Sequence, residues 1–155
     1  MRVHNVETSE DPLVEEVRNL FMEYQRELGI DLCFQGFDDE LQTLPGKYGP
    51  PSGALVLLER DGEIGGCGAL YDMGDATCEL KRVYVRPAWR GLGLGKKLTQ
   101  LLLDRARELG YVRARLDTLA RLATAVAMYR GFGFYEIEPY NFNPEADIVY
   151  MELEL

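Results

Sequence analysis

The sequence predicts an α/β domain built on a mixed sheet, and three observations carry that expectation. Apolar residues alternate at strand spacing in several short segments, recur at helical spacing in others, and the two kinds of segment interleave along the chain. At 155 residues the chain reads as one domain, residues 1–155, long enough to bury a core without disulfide or metal staples.

Residues 2–7 alternate weakly and are expected to form a first strand. Asp11-Pro12 predicts a helix start, with Asp at the N-cap and Pro at the first helical position. Leu13, Val17, Leu20, Phe21, Tyr24 and Leu28 follow at helical spacing, and Gly29 ends the run. A second short helix is expected around 37–44, and the turn-rich stretch 44–53 reads as a surface loop. Two apolar runs, 54–59 and 63–71, flank Arg60-Asp61-Gly62, a hairpin signal. A third strand is expected over 77–86. An amphipathic helix over 94–109 carries Leu98, Leu101, Leu102, Ala106 and Leu109 on one stripe, with Gly110 beyond it. A strand over 112–118, a helix over 120–130 and strands over 134–138 and 148–155 complete the order.

Composition narrows the function. With 46% hydrophobic and 28% charged residues the chain resembles an ordinary globular protein. No apolar run approaches the roughly 20 residues of a membrane span, and the first residues lack the apolar centre of a signal peptide. A cytoplasmic location with no membrane partner is therefore expected. Cys33, Cys67 and Cys78 are scattered, without CxxC pairing, and read as core fillers. The single histidine, His4, gives no support to a Ser-His-Asp triad or a multi-His metal site, so no metal is expected. A formal net charge of −9 argues against nucleic acid as a partner. Against that acidic background, Lys81, Arg82, Arg86, Arg90, Lys96 and Lys97 form a basic island containing no acid, which suggests a local anion site.

The island contains the most informative stretch. Val83-Tyr84-Val85 runs into Arg86-Pro87-Ala88-Trp89-Arg90 and then Gly91-Leu92-Gly93-Leu94-Gly95-Lys96-Lys97. A strand thus enters a glycine-rich turn that opens directly into a helix. Unpaired amides and the helix dipole at such an opening suit a diphosphate. Two common phosphate motifs do not fit. The third glycine of GxGxxG falls one residue early, at Gly95, and GxxxxGK[ST] meets Arg90 and Lys97 at the wrong places.

Arg90-Gly91-Leu92-Gly93-Leu94-Gly95 resembles the acetyl-CoA signature, Q/R-x-x-G-x-G/A, of the GNAT superfamily of N-acetyltransferases. Tyr129-Arg130-Gly131-Phe132-Gly133-Phe134 resembles the Tyr-x-x-x-Gly-Phe that ends the family's last helix. Both motifs stand in order and at the family spacing, and the likeness covers about residues 63–155. The resemblance implies a mostly antiparallel mixed sheet flanked by helices, acetyl-CoA as co-substrate, and transfer of its acetyl group to an amine in a ternary complex. It also implies that the strand at Val83, Tyr84 and Val85 splays from its neighbour at 112–118 and pairs with the pantetheine arm. Arg90, Gly91, Leu92, Gly93, Leu94, Gly95 and Lys96 would then hold the pyrophosphate. Glu79 is implied as a general base acting through water, with an ion pair to Lys81 or Arg82 as the alternative. Tyr129 is implied to face the leaving sulfur. Where many members carry an asparagine against the cofactor arm, this chain has Leu122.

The expected acceptor is a small-molecule amine, and a homodimer is left open as the assembly. Candidate acceptor-side segments are 34–37, 47–51 and Tyr140-Asn141-Phe142-Asn143. The alternatives are a non-catalytic acyl-CoA-sensing module on the same fold, and a nucleotide-binding protein that shares only the glycines.

Overall fold

The computed structural model describes residues 1–32 and 36–155. Among these residues, seven strands form one sheet: β1 (Arg2–Asn5), β2 (Ala54–Arg60), β3 (Glu63–Gly74), β4 (Thr77–Val85), β5 (Arg113–Leu119), β6 (Tyr135–Ile137) and β7 (Ile148–Glu154). Their spatial order is β1-β2-β3-β4-β5-β7-β6. Every neighbouring pair is antiparallel except β4 and β5, which run parallel. Four α-helices accompany them: α1 (Val14–Leu28), α2 (Phe37–Thr43), α3 (Leu94–Glu108) and α4 (Ala123–Phe132). The expected mixed, mostly antiparallel sheet flanked by helices is the one observed.

The turns follow the local chemistry. Asp61 and Gly62 both take positive φ, 53° and 81°, so the β2–β3 hairpin closes with the primed turn whose twist matches the strands. Two helix starts differ from expectation. α1 begins at Val14, because the Asp11 carboxylate accepts from the Leu13 N–H at 2.9 Å and the Asp11 carbonyl from Val14 at 3.0 Å. Asp11 and Pro12 thus make a separate turn ahead of the helix. α4 starts at Ala123 and runs to Phe132, because β5 extends to Leu119 and the next residues turn, with Leu122 N–H donating to the Leu119 carbonyl.

The sheet has a packed core on each face. On one, Leu94, Leu98, Leu102 and Ala106 of α3 cover Val56, Leu58, Leu70 and Leu80. Gly66 and Gly68 of β3 permit this close approach: a Cβ on Gly68 would stand 2.9 Å from Leu102 Cδ1. On the other face Val17, Leu20 and Phe21 of α1 and Phe37 of α2 cover Leu55, Leu57 and Ala69. The expected core role holds for Cys67 and Cys78, which are buried and free; burial pushes the Cys78 thiol up to about 12. Cys33 lies outside the described residues. No helix among the described residues is long and apolar enough to cross a membrane.

Candidate active site

β4 and β5 pair only at Thr77↔Arg113, Cys78↔Ala114 and Glu79↔Arg115. Beyond Glu79 each strand keeps its outer partner while the two part from each other: β4 pairs with β3 through Tyr84 and Val85, and β5 pairs with β7 through Leu119. A bulge accompanies the parting. The β3–β4 register shifts between Cys67↔Tyr84 and Ala69↔Lys81, so Arg82 and Val83 together oppose Gly68. Arg82 takes φ 58°, a region a non-glycine residue occupies only when its surroundings hold it there. The hold is visible. Arg82 donates two hydrogen bonds to Glu40 of α2, at 2.9 and 3.1 Å, and lies over the Phe37 ring at 5.1 Å. Tyr48 donates a further hydrogen bond to the same carboxylate, at 2.9 Å.

The gap is a cleft, partly open to solvent, with Leu80 to Val83 on one wall and Leu116 to Leu119 on the other. Tyr24 and Leu28 of α1, Ala125 and Tyr129 of α4, and Leu122 at the N-cap of α4 also line it. Past Glu79 the β4 edge facing this cleft has no strand partner among the described residues, so its backbone groups are available to a ligand.

The glycine turn lies at the end of the same strand. Pro87–Trp89 form a single 3₁₀ turn, Gly91 and Gly93 take φ of 80° and 76°, and Gly93 is the N-cap of α3. Only glycine adopts those angles without strain, and an added Cβ at either position would meet nothing within 4 Å. The turn is therefore uncrowded at both glycines.

The individual residues fall into three groups. Val83 lines the cleft, whereas the Tyr84 side chain packs toward α1, its ring 5.9 Å from Tyr24. Tyr84 and Val85 thus have their backbone alone to offer a ligand in the cleft. Gly91, Leu92, Gly93 and Lys96 are exposed around the turn, Gly95 is half-buried, and Leu94 is a core residue. The basic island is the largest revision. Arg82 is paired with Glu40, Arg86 with Glu16 and Glu23 at 2.7 Å each, and Arg90 with Glu27 at 2.6 Å. Lys81 sits 3.7 Å from Glu79 and 4.0 Å from Asp117. Most of the island is thus neutralised within the protein, and the exposed cations at the opening of α3 are Lys96 and Lys97. The Arg90–Glu27 pair is half-exposed and so can be exchanged for a stronger anion at little cost.

Tyr129 reaches the cleft because of how α4 ends. Gly133 takes φ 104°, and the Phe134 N–H returns to the Tyr129 carbonyl at 3.1 Å, which is the physical reason for glycine in that motif. The Phe134 ring then packs edge-on against Tyr129 at 5.7 Å. The Tyr129 hydroxyl makes no hydrogen bond among the described residues, and burial pushes its phenol above its ordinary value.

Glu79 stands at the last paired position before the strands part and is almost wholly buried. It accepts from the Tyr71 hydroxyl at 2.7 Å and from the Tyr140 hydroxyl on its other oxygen. Burial first, and then the carboxylate, raise both phenols above the ordinary value. The ion pair with Lys81 anticipated as the alternative for Glu79 is present. Tyr140, flagged as acceptor-side, is therefore joined to Glu79, and Lys47 of the second flagged loop lies 4.0 Å over the Tyr71 ring. Of the first flagged segment, residues 34 and 35 lie outside the described residues. Sequence reasoning passed over Asp117, which lines the cleft together with Lys81 and the flagged Asn143. The available signal was an aspartate inside a strand, a rare place for one.

A splayed parallel pair, a glycine turn at the head of the following helix and a tyrosine lining the gap are the arrangement that the resemblance to acetyl-CoA-dependent transferases implies. The chain belongs to the acetyltransferase (GNAT) family, whose sequence pattern matches residues 14–134. It is 45% identical over 145 residues to an uncharacterized N-acetyltransferase of Schizosaccharomyces pombe, covering 92% of this chain and 88% of that protein. It is 33% identical over 150 residues to an IAA acetyltransferase of Azospirillum brasilense, covering 94% and 95%. Among solved structures, a GNAT family acetyltransferase of Elizabethkingia anophelis with acetyl-CoA bound superposes with a TM-score of 0.73 at 23% identity, over 99% of this chain and 97% of that one. The protein is an acetyl-CoA-dependent N-acetyltransferase.

Proposed function

We propose that acetyl-CoA lies across the β4/β5 cleft and passes its acetyl group directly to the primary amine of a small molecule bound beside it. The observation that carries this reading is the opening itself: a strand edge without a partner among the described residues leads from the glycine turn toward the hydroxyl of Tyr129. The two amides of pantetheine pair with the β4 edge as an added strand would. The diphosphate rests on the amides of Gly91 to Lys96, with Lys96 and Arg90 as its cations. The polar contact that Leu122 does not supply comes from Asn143 or Thr118, which line the same cleft.

An alkylamine with pKa near 10.4 is neutral in only about four molecules per ten thousand at pH 7, so its proton must be removed. Glu79 is the acceptor of that proton. Its burial routes the transfer through the hydroxyl of Tyr71 or Tyr140. The amine then forms the new C–N bond, and its second proton ends on sulfur as the C–S bond breaks. Tyr129, which stays protonated because its phenol is raised, donates a hydrogen bond to that sulfur. Similarity to an IAA acetyltransferase over nearly the whole length supports a small acceptor. The test is a panel of amines with acetyl-CoA, following thiol release and acetylated product together. The expected result is equal amounts of both and a rate law requiring both substrates bound. Tight CoA binding with no amine-dependent thiol release would establish a sensor instead.

A further inference from the structure

We propose that Asp117 docks the acceptor as an ammonium ion, a role separate from that of Glu79; this rests on the amine-acetylating reading above. Asp117 occupies the middle of β5, between Leu116 and Thr118, on the cleft wall opposite β4. Its side chain is only 12% exposed. The two carboxylates beside Lys81 differ in how well they are served. Glu79 accepts a tyrosine hydroxyl on each oxygen. Asp117 Oδ1 lies 4.0 Å from Lys81 Nζ, beyond hydrogen-bond reach, and Oδ2 is shielded from water with no hydrogen-bond partner among the described residues. Tyr150, directly across from Asp117 on β7, is committed elsewhere: its hydroxyl donates to Asn141 Oδ1 at 2.9 Å.

A buried carboxylate oxygen left without a donor is costly, and such exceptions call for an explanation. Here the cleft that Asp117 lines is the one that Tyr129 lines, so a cationic substrate in it meets the exposed part of this under-served carboxylate and brings the donors it lacks. An alkylammonium carries three N–H donors and a positive charge. One N–H serves Asp117, which leaves another to be surrendered toward Glu79. The two carboxylates divide the work: Asp117 recognises the cation and Glu79 removes its proton. The site consequently prefers acceptors that are protonated at neutral pH, alkylamines over arylamines.

The experiment compares the parent enzyme with Asp117→Asn, which keeps the shape and removes the charge. A charged hydrogen bond is lost, so KM for an alkylamine rises about tenfold to a hundredfold, while kcat stays within about threefold. CoA affinity and thermal stability stay at the parent's values. The parent alone gives a second reading that survives a folding defect in the variant. If ammonium is the bound form, apparent KM for total alkylamine changes by less than about threefold from pH 7 to 9; if free base binds, it falls about a hundredfold. An unchanged KM in Asp117→Asn, a hundredfold fall in the parent's KM, or a loss of CoA affinity alongside would each overturn the assignment while leaving the enzyme an N-acetyltransferase. No thiol release by the parent with any amine would defeat the amine-acetylating reading, and the assignment with it.

Discussion

Gly93 caps α3 at φ 76°, and an added Cβ there meets no atom within 4 Å. A glutamate can therefore be introduced without a clash, and its effects on fold and on ligand can be worked out separately. Holding a non-glycine residue in the left-handed region costs about 1–2 kcal/mol. A carboxylate at a helix N-terminus returns about 0.3–1 kcal/mol of that. The net loss is about 1 kcal/mol, which for a domain of this size lowers Tm by about 2–4 °C. The ligand meets a much larger effect. A carboxylate about 4 Å from one diphosphate charge repels it by about 4 kcal/mol at an effective dielectric constant near 20. That corresponds to roughly a thousandfold in affinity. Gly93→Ala serves as the control, since it incurs the backbone strain without the charge. Calorimetric titration with CoA, alongside thermal melting of both variants, makes the measurement. A Gly93→Glu protein that melts within a few degrees of the parent and binds CoA within threefold of it would refute the placement of the diphosphate.

Three further outcomes follow from the same geometry. Tyr129→Phe keeps the ring against Phe134 and removes the hydroxyl, so kcat should fall by about tenfold to a thousandfold with CoA affinity unchanged; kcat within twofold of the parent's at rate-limiting chemistry would leave Tyr129 a packing residue. Glu79→Gln should lower turnover most at low pH, where the amine is protonated, and the deficit should shrink as pH climbs toward the amine's pKa near 10.4; an equal deficit at every pH would make Glu79 structural. Glu40→Gln strands Arg82, whose side chain is 3% exposed, at a cost of about 3–5 kcal/mol, so the melting temperature should drop by about 6–20 °C. A drop below 2 °C would show that the bulge does not depend on this pair.

The elements were legible in the sequence because each rests on local chemistry. Asp61-Gly62 specifies its turn, the leucines of α3 specify a buried face, and Gly133 specifies the end of α4. The glycine turn and Tyr129 were legible for the same reason, since each is a local device. The electrostatics were not. The acids that neutralise Arg86 and Arg90 lie 63 or more residues earlier, on α1, and the one that holds Arg82 lies 42 residues earlier, on α2. A run of cations free of nearby acid therefore looked more available than it is. Glu79 was picked out by position, yet its partners, Tyr71 and Tyr140, reach it from a neighbouring strand and from the loop after β6. Asp117 became visible only once the parting of β4 and β5 put it on a cleft wall.

A structure of the protein with CoA tests the central claim most directly. The account predicts the pantetheine arm between β4 and β5, paired with the backbone near Val83, the diphosphate on the amides of Gly91 to Lys96, and the sulfur within hydrogen-bond distance of the Tyr129 hydroxyl. A CoA molecule seated elsewhere, or one whose sulfur points away from Tyr129 while β4 and β5 close against each other, would contradict it.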